Sequence, residues 1–223
     1  LSGSSELLQS LPSVDKAPHI IGITGPPGAG KSTLVNALLK KLTVSKKRIA
    51  VLSVDPSSPF NYGALLGDRI RMSEFYLNPD VYIRSLASRG SLGGLNQKII
   101  EILDVLRICP FDYIVVETVG VGQSEVEIAG LADTTIVVTV PEAGDEVQTM
   151  KAGVMEIADI FVVNKGDREN ADEFVKNLRF LAHSKAGEWE IPVVKCIATS
   201  DIGLDELVEK ISLHQQHSQS NER

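Results

Sequence analysis

Short apolar and β-branched runs alternate along this chain with stretches whose apolar residues recur at helical spacing. His19–Thr24, Arg48–Val54, Val81–Ser85, Asp112–Glu117, Thr134–Val140, Ile160–Asn164 and Pro192–Ile197 read as strands of the kind buried on both faces. Helical spacing marks a segment opening at Ser32, then Leu92–Leu106, Glu125–Leu131, Glu169–Lys185 and Gly203–Leu213, the last with Leu204, Leu207, Val208 and Ile211 on one stripe. Such alternation predicts an α/β fold, a mostly parallel sheet with helices on both faces. Residues 1–18, Ser- and Pro-containing and aperiodic, read as a poorly structured N-terminal arm. Residues 19–213 form one domain, and 214–223 a polar C-terminal tail.

Composition narrows the partners. A hydrophobic content of 43% over 223 residues supports one well-cored domain. With 22 Lys+Arg against 29 Asp+Glu the formal charge is −7, and the longest basic tract is Lys46-Lys47-Arg48 after the first helix, where cations suit the helix dipole. Nucleic acid is not an expected partner. Cys109 and Cys196 have no neighbouring Cys at metal or redox spacing and read as reduced core thiols. The apolar runs are strand length, far below the ~20 residues of a membrane span. The expected location is the cytoplasm, or the mitochondrial matrix in a eukaryote. His214 and His217, at i, i+3 spacing, read as exposed tail residues rather than metal ligands.

The informative loops all follow strands, where ligands of parallel sheets gather. Gly25-Pro26-Pro27-Gly28-Ala29-Gly30-Lys31-Ser32 fits G-x-x-x-x-G-K-[ST] between a strand and a helix, the phosphate loop of P-loop NTPases. Gly25, Pro27, Gly28, Ala29, Gly30 and Thr33 belong to the backbone wrap and helix start that face phosphate oxygens. Lys31 supplies charge to the β- and γ-phosphates, and the Ser32 hydroxyl suits Mg²⁺. Glu117 closes the fourth strand and is followed by Gly120, an acid for Mg²⁺ or its water shell and an N–H able to sense the γ-phosphate. Asn164-Lys165-Gly166-Asp167 reads as a guanine site: the Asp167 carboxylate accepts from the base's N1–H and exocyclic amine, Asn164 meets the acceptor edge, and the Lys165 stem covers the ring. Ala198 and Thr199 follow the next strand and are placed to touch the base edge. GTP and GDP are therefore the expected ligands, with Mg²⁺.

Val54-Asp55-Pro56-Ser57-Ser58-Pro59 and Leu66-Gly67-Asp68-Arg69-Ile70-Arg71-Met72 add two carboxylates, Asp55 and Asp68, which with Glu117 and Ser32 form a candidate Mg²⁺ set; helix capping is the plainer role for either Asp. These loops, with Arg89-Gly90-Ser91-Leu92-Gly93-Gly94-Leu95 and Glu117-Thr118-Val119-Gly120-Val121-Gly122-Gln123-Ser124-Glu125, give a chain that from His19 to Ile211 resembles the GTPase chaperones of adenosylcobalamin-dependent acyl-CoA mutases. The resemblance implies a GTP-hydrolysing switch that gates cobalamin loading into methylmalonyl-CoA mutase and protects or reactivates it, meeting cobalamin only through that partner. It also implies nucleotide and Mg²⁺ roles for Lys31, Asp55, Asp68 and Glu117, and a further switch at Pro141–Lys151. The mutase's adenosyltransferase and a second copy of the chain are further candidate partners. Family members usually carry a longer N-terminal extension and a C-terminal dimerisation arm, and Asn61-Tyr62 replaces smaller residues in the first switch.

Val121 stands where small Ras-like GTPases carry a catalytic Gln, and valine neither orients nor accepts from water. Slow intrinsic hydrolysis is expected, with Gln123, Asp68 or a partner-induced rearrangement positioning the water and Arg69, Arg71, Arg84 and Arg89 as candidate charge stabilisers. Two other classes fit parts of the pattern. A P-loop kinase would show an acceptor-dependent product, and a nickel or cobalt metallochaperone GTPase would need clustered His or Cys.

Overall fold

Apolar residues on both faces of nearly every strand leave no solvent face, so the sheet is driven between two helical layers. A computed structural model describes residues 16–55, 72–87, 97–118, 124–142, 154–183 and 188–221. Among these, β1 (His19–Thr24), β2 (Ile49–Asp55), β3 (Val81–Ala87), β4 (Tyr113–Thr118), β5 (Thr134–Thr139), β6 (Ile160–Val163) and β7 (Val193–Lys195) form one sheet in the order β3-β2-β4-β1-β5-β6-β7. Every ladder is parallel. β1, which leads into the phosphate loop, is central, flanked by β4 and β5.

On one face, α1 (Lys31–Val44) and α6 (Leu204–Asn221) bury Leu34, Leu38, Leu42, Leu204, Leu207 and Ile211 against Ile21, Ile23, Val115 and Val138. On the other, Ile99, Leu103 and Leu106 of α2 (Gln97–Arg107) and Ile128 of α3 (Ser124–Ala129) cover Ile20, Leu52 and Val116. There α5 (Ala171–His183) packs Val175, Leu178 and Ala182 on Val137, Phe161 and Val163, and a short α4 (Val154–Ile157) precedes β6. Each such Val, Leu, Ile or Phe side chain, fully buried, contributes about 1.5–3 kcal/mol.

Strand and helix positions match the pattern to within a few residues at each described boundary, with one substantial exception. The last helix does not stop at Leu213: α6 continues to Asn221, so the stretch read as a polar tail is helical for most of its length. His214 falls on the stripe of Leu204, Leu207 and Ile211 and is only 6% exposed, which corrects its reading as an exposed tail residue. Its Nδ1 is 2.8 Å from Thr134 Oγ1 and its Nε2 3.3 Å from Asp159 Oδ1, while the Trp189 ring packs edge-on at 4.8 Å. Ser212, Ser218 and Ser220 donate to carbonyls four residues back, satisfying their hydroxyls within the helix. The Lys47 and Arg48 cations pair with Asp112 and Asp80.

Candidate functional site

The site is assembled at the carboxyl ends of β1, β4 and β6. Leaving β1, the chain turns at Gly25 (φ +139°), where an added Cβ would stand 2.0 Å from the Val138 carbonyl oxygen. No other residue type fits so close to the neighbouring strand. Gly30, left-handed at φ 87°, caps α1, and its missing Cβ leaves room for the Asn164 amide. Lys31, 7% exposed, folds back over its own loop, with Nζ donating to the carbonyls of Gly25 (2.7 Å) and Pro26 (2.9 Å). The exposed Pro27 and Gly28 form the outer rim of the loop, the half-buried Gly30 and Ser32 stand behind them, Ala29 is buried within it, and Thr33 is exposed on the first turn of α1.

Glu117 sits at the penultimate position of β4, in register with Ile23 of β1 and Ser53 of β2. Ser32 Oγ donates to its Oε1 at 2.6 Å, which joins the first turn of α1 to the carboxyl end of β4. On the opposite face Thr118 Oγ1 donates to Thr24 Oγ1 at 3.0 Å and ties β4 to β1. Asp55 ends β2 one strand further out. The Ser32 and Glu117 oxygens are hard donors, the type Mg²⁺ takes.

Asn164 is the keystone of the third loop. It is 3% exposed; its Nδ2 donates to the Ala29 carbonyl at 2.9 Å and its Oδ1 accepts from the Ala198 N–H at 3.1 Å. One side chain therefore locks together the phosphate loop, the Asn164–Asp167 loop and the Ala198–Ser200 turn. Its carbonyl and one amide hydrogen serve this tie, beside the base contact that the motif implies for it. Lys165 is left-handed at φ 55°, and Gly166 passes so close to Lys195 that a Cβ would lie 2.7 Å from its Cγ. Asp167 and Thr199 stay exposed, beside the half-buried Lys165 and the buried Ala198. Beneath them burial pushes the Cys196 thiol up to about 12, so it stays protonated at neutral pH, as expected of a core thiol. Arg168 pairs with Glu142, at the start of the proposed additional switch.

Lys31, Ser32, Glu117, Asn164 and Ala198 are thus brought together at the carboxyl end of the sheet. Asp68, Gly120, Val121 and Gln123, with Arg69, Arg71, Arg89, Asn61, Tyr62 and the switch residues 143–151, lie outside the described residues. Arg84 is exposed on β3. Sequence reasoning passed over Ser53, Ser85, Thr134, Asp159 and Trp189; their only signal was the polar interruption of otherwise apolar strands and edges.

A parallel sheet with a phosphate loop after its central strand, an acid near the end of the neighbouring strand, and an Asn-Lys-Gly-Asp loop tied to the phosphate loop places the chain in the P-loop GTPase class. Within that class it belongs to the family described as methylmalonyl Co-A mutase-associated GTPase MeaB, whose model matches residues 2–223. It is 51% identical over 201 residues to a putative GTPase of Pyrococcus horikoshii, covering 88% of this chain and 63% of that protein. It is 38% identical over 194 residues to the mouse protein named methylmalonic aciduria type A homolog, mitochondrial, covering 84% of this chain and 46% of the relative. The chain thus spans under two thirds of the length of these relatives. Among solved structures, one titled LAO/AO transport system kinase superposes with a TM-score of 0.79 at 29% identity, over 99% of this chain and 66% of that one. HypB from Helicobacter pylori, solved in complex with nickel, gives 0.68 at 16% identity over 98% of this chain and 94% of that one, a likeness of fold alone. Among the described residues no helix is long and apolar enough to cross a membrane, and no group of three or more His, Cys, Asp or Glu is placed to hold a metal ion.

Proposed function

We propose that this chain is the switch domain of a GTPase that hydrolyses GTP to GDP and phosphate and chaperones an adenosylcobalamin-dependent acyl-CoA mutase, gating cofactor loading and aiding protection or reactivation. The observation that carries the nucleotide part is Asn164, whose two hydrogen bonds hold a guanine-type loop rigidly against the phosphate loop. The exposed Asp167 carboxylate accepts the paired N1–H and amino donors of guanine, a pair adenine lacks. Lys31 and the loop amides hold the β- and γ-phosphates. Ser32, Glu117, Asp55 and Asp68 would hold Mg²⁺, which when bound neutralises phosphate charge. Gln123 or Asp68 orients the attacking water, since Val121 cannot.

The mutase part is supported by the family description and by the mouse relative's name. Under this reading the segment from Pro141 onward couples nucleotide state to the mutase, cobalamin is met only through that partner, and the mutase's adenosyltransferase and a second copy of this chain are further partners. The location is the cytoplasm, or the mitochondrial matrix in a eukaryotic cell. Steady-state GTP hydrolysis, with ATP as control and a cobalamin-dependent acyl-CoA mutase titrated in, tests it. Slow GTP-specific turnover that rises with mutase is the expected result. Equal ATP turnover would overturn the guanine assignment, and turnover indifferent to mutase would overturn the chaperone role.

A further inference from the structure

Ser53 of β2 is paired in register with Glu117 of β4 on one side and with Ser85 of β3 on the other. Neighbours in a parallel ladder present their side chains to the same face, so these three form one polar row across three strands, about 4.8 Å from strand to strand. The positions two residues earlier show which face: Val51, Val115 and Ile83 all pack in the core beneath α1. The row therefore runs outward from the Ser32–Glu117 contact, on the side of the sheet that carries the phosphate loop's helix.

Ser53 is 2% exposed and Glu117 6%. The hydroxyl oxygens of Ser53 and Ser85 are both buried, and among the described residues neither bonds the other or any other group. Two buried hydroxyls left unmatched side by side, in a row that ends on a carboxylate, call for an explanation. Apolar cavities stay dry, but a gap lined by polar groups admits water, which needs two to four polar partners. A hydroxyl on each of two strands and a carboxylate on the third provide them. A water that accepts from Ser53 Oγ and donates to the carboxylate satisfies the serine and restrains the Glu117 side chain.

We propose that Ser53 and Ser85 carry a row of buried water ending on the Glu117 carboxylate, and that Ser53 is thereby a positioning residue for the metal side of the nucleotide site. The second half rests on the proposed role of Glu117 at that site. Groups that orient a ligand without touching the metal commonly change its affinity by tenfold or more.

The experiment compares wild type with Ser53→Ala, Ser53→Thr and Ser85→Ala. Mg²⁺ is titrated against the affinity for a fluorescent GDP, with an EDTA baseline and Tm recorded for each variant, and wild type is crystallised at a resolution that shows ordered water. Ser53→Ala should raise the Mg²⁺ concentration at half-effect about tenfold while leaving metal-free GDP affinity and Tm nearly unchanged. Ser53→Thr, which keeps the hydroxyl, should restore it, and Ser85→Ala, one strand further out, should have the smaller effect. An unchanged Mg²⁺ dependence in Ser53→Ala, or a crystal structure with no ordered water bridging Ser53 and Glu117, overturns the proposal. Wild type that binds GDP without any Mg²⁺ dependence would instead overturn the metal role of Glu117. The crystal would then decide the water row alone.

Discussion

Asp167 and Asn164 sit three residues apart in one motif yet act by different physics. Asp167 is exposed and its carboxylate is available to a base; Asn164 is buried and holds loops. On the proposed guanine assignment, Asp167→Ala removes the acceptor for two base donors and leaves the Asn164 tie intact. Its expected effect is a loss of about 1–3 kcal/mol of guanine preference, roughly 5- to 150-fold in the GTP-to-ATP affinity ratio. Competition binding with both nucleotides measures it, and an unchanged ratio would place guanine recognition elsewhere. The motif was legible because side-chain chemistry at fixed spacing is a sequence property. The tie that Asn164 makes between loops was not, since it depends on Ala29 and Ala198 arriving from distant strands.

At the scale of elements, α6 shows how a polar stretch can be structural. The stripe of Leu204, Leu207 and Ile211 continues through His214, whose imidazole meets Thr134 and Asp159 at the amino end of the sheet. Trp189 donates its Nε1–H to the Asp159 carbonyl at 2.8 Å and packs on both His214 and His217. Truncation after Leu213 removes the buried His214 imidazole with its contacts to Thr134, Asp159 and Trp189, so a loss of about 2 kcal/mol is expected, or about 4–8 °C in Tm. Because this network lies at the end of the sheet opposite the phosphate loop, GDP affinity should hold. Thermal melts with and without GDP test both halves; an unchanged Tm would mean that the added turns contribute nothing. Hydrophobic periodicity could not extend the helix past Leu213, because two histidines, three glutamines and two serines read as polar wherever they fall. Burial of His214 was decided by the strand beneath it.

For the whole molecule, the same network predicts how stability follows pH. His19 Nε2 lies 2.7 Å from Thr134 Oγ1, its Nδ1 faces Asp133 at 3.8 Å, and its ring is edge-on to Tyr113. Burial pulls the His19 imidazole below its ordinary value of 6.5; Asp133 and, more weakly, Asp159 oppose this, while His214 adds to it. Below 6.5 the unfolded chain therefore takes up a proton that the folded chain refuses, so the folded state is fully favoured above 6.5 and loses stability as pH falls through the window beneath it. The paired carboxylates of Glu74, Asp112 and Glu142, all held below their ordinary values, act only at lower pH. Tm should fall between pH 7.5 and 5.5, and less so in His19→Gln, which cannot titrate. Equal slopes for the two proteins would remove His19 as the cause.

The sequence by itself determined the layered parallel fold and the positions of its ligand loops. Alternating strand and helix periods dictate the layers, and glycine, lysine and carboxylate chemistry at fixed spacings marks the loops. Only the tertiary structure decided which polar side chains are structural. The order β3-β2-β4-β1-β5-β6-β7 sets Glu117, Ser53 and Ser85 side by side and brings His19, Thr134, Asp159 and His214 to one buried corner. A hydroxyl or imidazole looks the same in sequence whether solvated or enclosed, and its role is fixed by partners more than a hundred residues away, as His19 and Thr134 are.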